Sequence, residues 1–201
     1  NGTNIDGLCT EMVKAILNNT DLDYVIKLRN WDYGYNRALS KRNHGIFCTT
    51  YTESRAPRFK WVGPLTRNLW TIFAPAGTNL QIDNLEDARG LRFGGYRNDV
   101  MTEYLLERGY EVSTLDSDDL NPKRLELGQI DLWIADRLAG PYFASQQNVE
   151  GLDPVYSFND TELFLAINLD TPDATVEKLN AGLRKVHETG MFEAIETKYG
   201  L

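Results

Sequence analysis

Residues 43–65 read NHGIFCTTYTESRAPRFKWVGPL, and this stretch decides how the rest of the chain is read. Ile46, Phe47, Cys48, Thr49, Thr50 and Tyr51 form a short β-branched and aromatic run between His44-Gly45 and Glu53-Ser54, the composition of a buried strand. The run then turns polar. Thr49, Thr50 and Thr52 carry hydroxyls at the strand's carboxyl end, and Arg55 adds a permanently charged fork of donors. In an open α/β sheet ligands bind beyond the carboxyl ends of the strands, so hydroxyls and a guanidinium there suit a carboxylate. The same residues also fit a surface turn on which Arg55 pairs with Glu53 or faces water.

Outward from this stretch, helix and strand patterns alternate. On the N-terminal side, Asn1, Gly2, Thr3 and Asn4 read as a turn, and Leu8, Met12, Ala15 and Ile16 recur at helical spacing up to Asn18-Asn19. Tyr24, Ile26 and Leu28 alternate with Asp23, Val25 and Lys27, which predicts a strand. Asn30 or Asp32 can cap a short helix running through Tyr35 and Leu39 into the central strand at Ile46. Trp31, Tyr33 and Tyr35 concentrate aromatic surface there, either for a ligand or for packing beneath the helix.

On the C-terminal side, a strand over 69–73 runs into Ala74-Pro75-Ala76-Gly77-Thr78, a breaker cluster with the composition of a hinge. A second unit comes next: helix 85–89, strand 91–96, a helix opened by Asp99, strand 112–115, helix 120–127 and strand 130–134. Strands over 155–158 and 163–167 lead to Asp170-Thr171-Pro172-Asp173, which caps an amphipathic helix over 175–187, and Phe192, Ile195 and Tyr199 mark a last helix. Gly90, Gly109, Gly128 and Gly190 each fall where a helix should stop. Strand–helix alternation with short connections is the α/β pattern of βαβ units around a mostly parallel sheet.

Composition narrows the partners. A chain of 201 residues that is 42% hydrophobic can bury one large core or two small ones. The net charge is −8 and the 21 basic residues are dispersed, so nucleic acid is not an expected partner. No apolar run approaches the roughly 20 residues that span a bilayer. The chain opens without a charged n-region and h-region, which fits either a cytosolic protein or a mature piece of an exported one. Cys9 and Cys48 are too few for a metal site even with His44 and His187. They are either two buried thiols or a disulfide, which requires an oxidising compartment and close approach of the two backbones.

Thr50-x-Thr52-x-x-Arg55, followed by Phe59-Lys60-Trp61-Val62-Gly63-Pro64-Leu65, resembles the T-x-T-x-x-R … F-x-x-P segment of type 2 periplasmic solute-binding proteins. Within these it is most similar to family 3, the amino-acid-binding components of ABC transporters, and the likeness runs over nearly the whole chain. The resemblance implies a two-lobed α/β fold of mixed, mostly parallel sheets flanked by helices. Lobe 1 would take residues 1–75 and 163–201 and lobe 2 residues 76–162, with hinge crossings near 73–77 and 160–163. It also implies a further lobe 1 strand before Asn1.

By the same resemblance Arg55 grips an α-carboxylate, Thr50 assists it, and Cys48 borders the ligand. Asp136, closing Ile130-Asp131-Leu132-Trp133-Ile134-Ala135-Asp136, takes the α-ammonium from across a cleft; it equally suits an N-cap for the helix beginning at Arg137. Arg97-Asn98-Asp99-Val100 stands where the family offers backbone N–H groups at a helix N-terminus. Asp99 departs from that pattern, either capping its helix or meeting a positive group on the ligand, with Arg97 able to compensate. Trp31, Tyr35, Tyr51, Arg97, Asn98 and Asp99 are expected to read the solute's side chain. The expected function is that of a monomeric, periplasmic solute-binding protein, without cofactor or metal, that closes on a small zwitterionic or carboxylate solute and delivers it to an ABC permease. A ligand-sensing domain of a receptor kinase is the alternative. A cleft enzyme of this fold would need an acid or base such as Glu53, Asp99 or His44, and no nucleophile–base pair stands out.

Overall fold

The computed structural model describes residues 5–200, so the turn expected over residues 1–4 lies outside it. These residues fall into two compact units. The first takes its described residues from Asn1–Arg29, Tyr33–Arg67 and Glu162–Leu201, and the second consists of Asn30–Asp32 and Asn68–Thr161.

In the first unit, α1 (Leu8–Asn18) buries Met12, Val13, Ala15 and Ile16, the helical stripe visible in the sequence. It packs on α6 (Asp173–Glu188) and α7 (Met191–Lys198), with Leu179, Leu183, Val186 and Phe192 completing the core. Gly182 makes the α1–α6 approach possible, because a Cβ there would stand 2.5 Å from the Ile16 carbonyl oxygen. The strand at Ile46 is β1 (Gly45–Thr50), antiparallel to the distal half of β6 (Leu152–Asn168) from Gly45↔Ile167 to Thr50↔Leu163. It is not the buried central strand that its composition predicts. Among the described residues it hydrogen-bonds to β6 alone and stands last in the strand order, and within it only Thr49 and Thr50 are buried. The register shifts between Ile46 and Thr49, where Cys48 takes a left-handed φ of 56°. A bulge of this kind re-aims a side chain, and here it meets α1: Cys48 is bonded to Cys9, with 5.9 Å between the Cα atoms.

Residues 24–28 differ from the sequence expectation. The chain there is extended but joins no ladder among the described residues, and Val25 and Leu28 are 79% and 74% exposed. Only Ile26 reaches the core. Alternation predicts an extended backbone, but a strand also needs a neighbour to receive its N–H and C=O groups. At the start of α6 the expected cap is likewise absent: the helix begins at Asp173 after Pro172, with no side-chain cap. Pro172 presets the backbone angle of the entry.

The second unit is built on three parallel strands, β4 (Val112–Leu115), β3 (Phe93–Tyr96) and β5 (Leu132–Asp136), with β3 between the other two. The distal half of β2 (Phe59–Pro75) runs antiparallel to β5, from Trp70↔Asp136 to Phe73↔Trp133. α3 (Val100–Glu107) and α4 (Asn121–Glu126) provide the βαβ crossovers, and α5 (Ala139–Gln146) follows β5. The segment expected to be helical at 85–89 is a single 3-10 turn, Leu85–Ala88, closed by an Asn84–Asp87 capping box. β2 and β6 are continuous strands that pass from one unit into the other, at residues 67/68 and 161/162. The breaker cluster at 74–78 therefore ends β2 inside the second unit. The two short strands expected at 155–158 and 163–167 are one strand, β6.

Candidate functional site

In the first unit the side chains beyond β1 are held from beneath. Thr50, one residue from the bulge side of the strand, is buried, and so is Arg55, at 5% exposure. The turn that carries Arg55 is fixed by its own backbone. The Arg55 N–H donates to Thr52 Oγ1 (3.2 Å) and to the Thr52 carbonyl (3.1 Å), and Arg55 opens the 3-10 turn Ala56–Arg58. The guanidinium carbon lies 5.4 Å from the centre of the Tyr35 ring, a cation–π distance. Tyr35, on α2 (Trp31–Ser40), is itself buried and meets Phe59 edge-on at 5.3 Å. Phe59 meets Trp61 at 5.6 Å, and Trp61 meets Tyr51 at 5.0 Å.

This aromatic series was not singled out in the sequence. The available signal was that Phe59 and Trp61 alternate on one face of β2, directly after the arginine. Of the expected residues here, Thr50, Arg55 and Tyr35 are all buried, and Arg55 lies over the Tyr35 ring. Tyr51, offset by one residue from Thr50, is 48% exposed and packs with Trp61 and Phe164. Cys48 is exposed and its sulfur is bonded to Cys9, so it offers no thiol.

In the second unit, Asp99 resolves in favour of its capping role. Its Oδ2 accepts from Met101 N–H and Thr102 N–H at 3.0 Å each, and the residue is 5% exposed. A carboxylate of the chain thus occupies the N-terminal donors of α3 that an anion would otherwise use. Asn98 takes a left-handed φ of 58°. Its Nδ2 donates to Asp32, and its carbonyl accepts the Trp31 indole N–H at 2.9 Å. Trp31 and Asp32 are therefore both joined to Asn98, next to Asp99, and Asp32, expected only as a helix cap, is an addition to the group. Arg97 is exposed and its guanidinium pairs with Asp116 at 2.8 Å. Asp136, half-buried at the end of β5, accepts from Leu138 N–H and Ala139 N–H at 2.9 Å each. It thereby fixes the turn leading into α5, whose N-cap is Leu138 and not the expected Asp136, and burial pushes its carboxyl above the usual range against the pull of those N–H groups.

The acid–base candidates do not assemble. His44 lies beside the Arg42 carbonyl through Nδ1, and Glu53 is exposed. Among the described residues no group of His, Cys, Asp and Glu could hold a metal ion, and no helix is long and apolar enough to cross a membrane.

No protein-family model matches the sequence, and a search of curated proteins returns no match. Solved structures do match. A histidine kinase sensor domain with similarity to periplasmic binding proteins superposes with a TM-score of 0.89 at 24% identity, over 96% of this chain and 86% of that one. An ancestral arginine-binding protein bound to arginine gives 0.84 at 20% identity, over 97% and 88%. The arginine-, lysine-, histidine-binding protein ArtJ from Geobacillus stearothermophilus gives 0.83 at 18% identity, over 100% and 88%. At these identities the likeness establishes the fold, and the chain has the type 2 periplasmic-binding-protein fold.

Proposed function

We propose that this chain is an extracytoplasmic binding module for a small zwitterionic or carboxylate solute of amino-acid type. The observation that carries this reading is Arg55: a guanidinium kept below the surface beyond the end of β1 and over the Tyr35 ring. A charge is costly to desolvate, and a guanidinium held this way suits bidentate recognition of a carboxylate. Asp136 is the candidate for the solute's ammonium group, and Trp31, Tyr35 and Asn98 are the candidates that read the remainder. The Cys9–Cys48 bond favours an oxidising compartment. Once the solute is captured, the first reading is delivery to an ABC permease. The kinase sensor domain among the similar structures favours a second, in which the same capture is reported as a signal.

A thermal-shift screen of the proteinogenic L-amino acids and related small acids tests capture. A ligand at 100 times its Kd adds about 2.7 kcal/mol, which raises the melting temperature of a chain of this size by about 6 °C. Arg55→Ala is expected to abolish that shift and keep the circular dichroism spectrum. An unchanged shift in the variant rejects the carboxylate clamp.

A further inference from the structure

Residues 21–29 read DLDYVIKLR, with the acids in the first half and the bases in the second. The segment lies in the first unit and joins no helix or ladder among the described residues. Its side chains nonetheless divide between two faces as those of a strand do. Leu22 and Ile26 pack against the core shared by α1, α6 and α7, whereas Asp23, Val25 and Lys27 are exposed, Val25 at 79%. Among the described residues, no backbone N–H or C=O of residues 23–27 is hydrogen-bonded within the chain. Such a row of open donors and acceptors is a template on which another strand can pair.

The order of the side chains selects the strand that fits. Antiparallel pairing with a second copy about Val25 sets Leu22 opposite Leu28, Tyr24 opposite Ile26, and Asp23 opposite Lys27, each twice over by the two-fold symmetry. Opposite charges directly across a ladder stabilise it, and like charges oppose it. Parallel pairing in register would set Asp23 against Asp23 and Lys27 against Lys27, so the charges favour the antiparallel arrangement. That register also keeps Leu22 and Ile26 of both copies on one face of the joined strands, over their cores, whereas a slip of one residue would turn one copy over. Asp23 and Lys27 are both exposed, and neither is in an ion pair among the described residues. Asp21 is held by Lys178 at 2.8 Å, so the pairing does not depend on Asp21 reaching Arg29.

We propose that residues 22–28 are the docking edge for a second copy of this chain, which adds antiparallel about Val25 and closes a two-fold dimer, in place of the expected monomer. The contact lies within the first unit and is independent of the binding reading. Each copy supplies the hydrogen-bond partners that the other's own fold leaves out. Val25 meets its equivalent at the axis, where apolar surface now in water is covered.

Sedimentation velocity of the full chain, from micromolar to near-millimolar concentration, reads the association directly. Wild type should pass from monomer to dimer over that range. Lys27→Glu sets acid against acid, and Asp23→Lys sets base against base, twice in each dimer. Each variant alone should therefore dissociate at least about tenfold more readily than wild type. An equimolar mixture of the two variants restores both opposite-charge pairs and should dimerise as wild type does. Both side chains stand in solvent, so each variant should keep the circular dichroism spectrum and melting temperature of wild type. The second measurement is amide hydrogen exchange, in which residues 23–27 should gain protection as wild type is concentrated. A wild type that stays monomeric throughout overturns the proposal and leaves this edge to another partner. A dimer that both variants retain uses a different surface and overturns it as well. A mixture that fails to dimerise where wild type does rejects the antiparallel register, and exchange at 23–27 that is unchanged on dimerisation rejects the edge. None of these outcomes bears on Arg55, which the amino-acid screen tests separately.

Discussion

Breaking the bond between Cys9 and Cys48 should cost the first unit a substantial part of its stability. The bridge closes a loop of 39 residues between α1 and the bulge of β1. The loop-entropy relation gives about 4 kcal/mol for a closure of that length, against a total stability of order 5–15 kcal/mol for a native domain. With the unfolding entropy typical of a chain of this size, the loss lowers the melting temperature by about 9 °C. The perturbation is the double variant Cys9→Ser/Cys48→Ser, assayed by urea unfolding followed by circular dichroism, with wild type in the presence and absence of reductant alongside. A refinement separates the cross-link from backbone strain. Cys48 holds a φ of 56°, a region that costs a side-chain-bearing residue roughly 1–2 kcal/mol and glycine nothing. Cys9→Ser/Cys48→Gly should therefore recover about 1 kcal/mol of what Cys9→Ser/Cys48→Ser loses. A double-serine variant within 1 kcal/mol of wild type, or wild type indifferent to reductant, refutes the assignment of the bridge as a stabilising cross-link.

Gly182→Ala should destabilise by about 2–3 kcal/mol in urea unfolding, because the new methyl meets the Ile16 carbonyl, a backbone atom that moves only if α1 moves with it. Asp99→Ala should cost about 1 kcal/mol by the same assay through loss of the two cap bonds of α3, and Asp99→Asn, which still offers an oxygen, should cost much less. Trp133→Phe removes one of the two donors, Trp133 Nε1 and Asn121 Nδ2, that hold the buried Asp118 carboxylate, so the carboxyl resonance of Asp118 should titrate at higher pH than in wild type. A midpoint that stays or falls contradicts this hydrogen bond.

Local pattern carried much of the fold. The stripe of Met12, Ala15 and Ile16, the glycines after α3, α4 and α6, and the alternation of short strands and helices in the second unit were all legible, since each depends on residues close in sequence. Properties set by a distant neighbour were not. The alternation at 24–28 is that of a strand, but nothing in those residues says whether a partner receives their hydrogen bonds. Residues 46–51 have the composition of an interior strand, but which strands pair with them is decided elsewhere in the chain, and among the described residues β6 alone does. Cys9 and Cys48 could be read as buried thiols or as a bridge, and only the bulge that turns Cys48 toward α1 decides. The candidate site divides in the same way. Asp99 was visible as a cap because capping is local, whereas Asp136 fixes the turn before α5, whose N-cap is Leu138. Phe59 and Trp61 enter the aromatic series, and Asp32 the group at Asn98, only through contacts made across the fold.

The central claim is that Arg55 holds a carboxylate, and a chemical cycle tests it most directly. The amino acid with the largest thermal shift and its carboxamide, which has the same shape without the negative charge, are each titrated calorimetrically into wild type and into Arg55→Ala. Two charge-assisted hydrogen bonds are worth roughly 3 kcal/mol, about 100-fold in affinity. Wild type should prefer the acid to the amide by that factor, and Arg55→Ala should bind the two equally. A variant that still prefers the acid as strongly as wild type does would show that the carboxylate is held elsewhere.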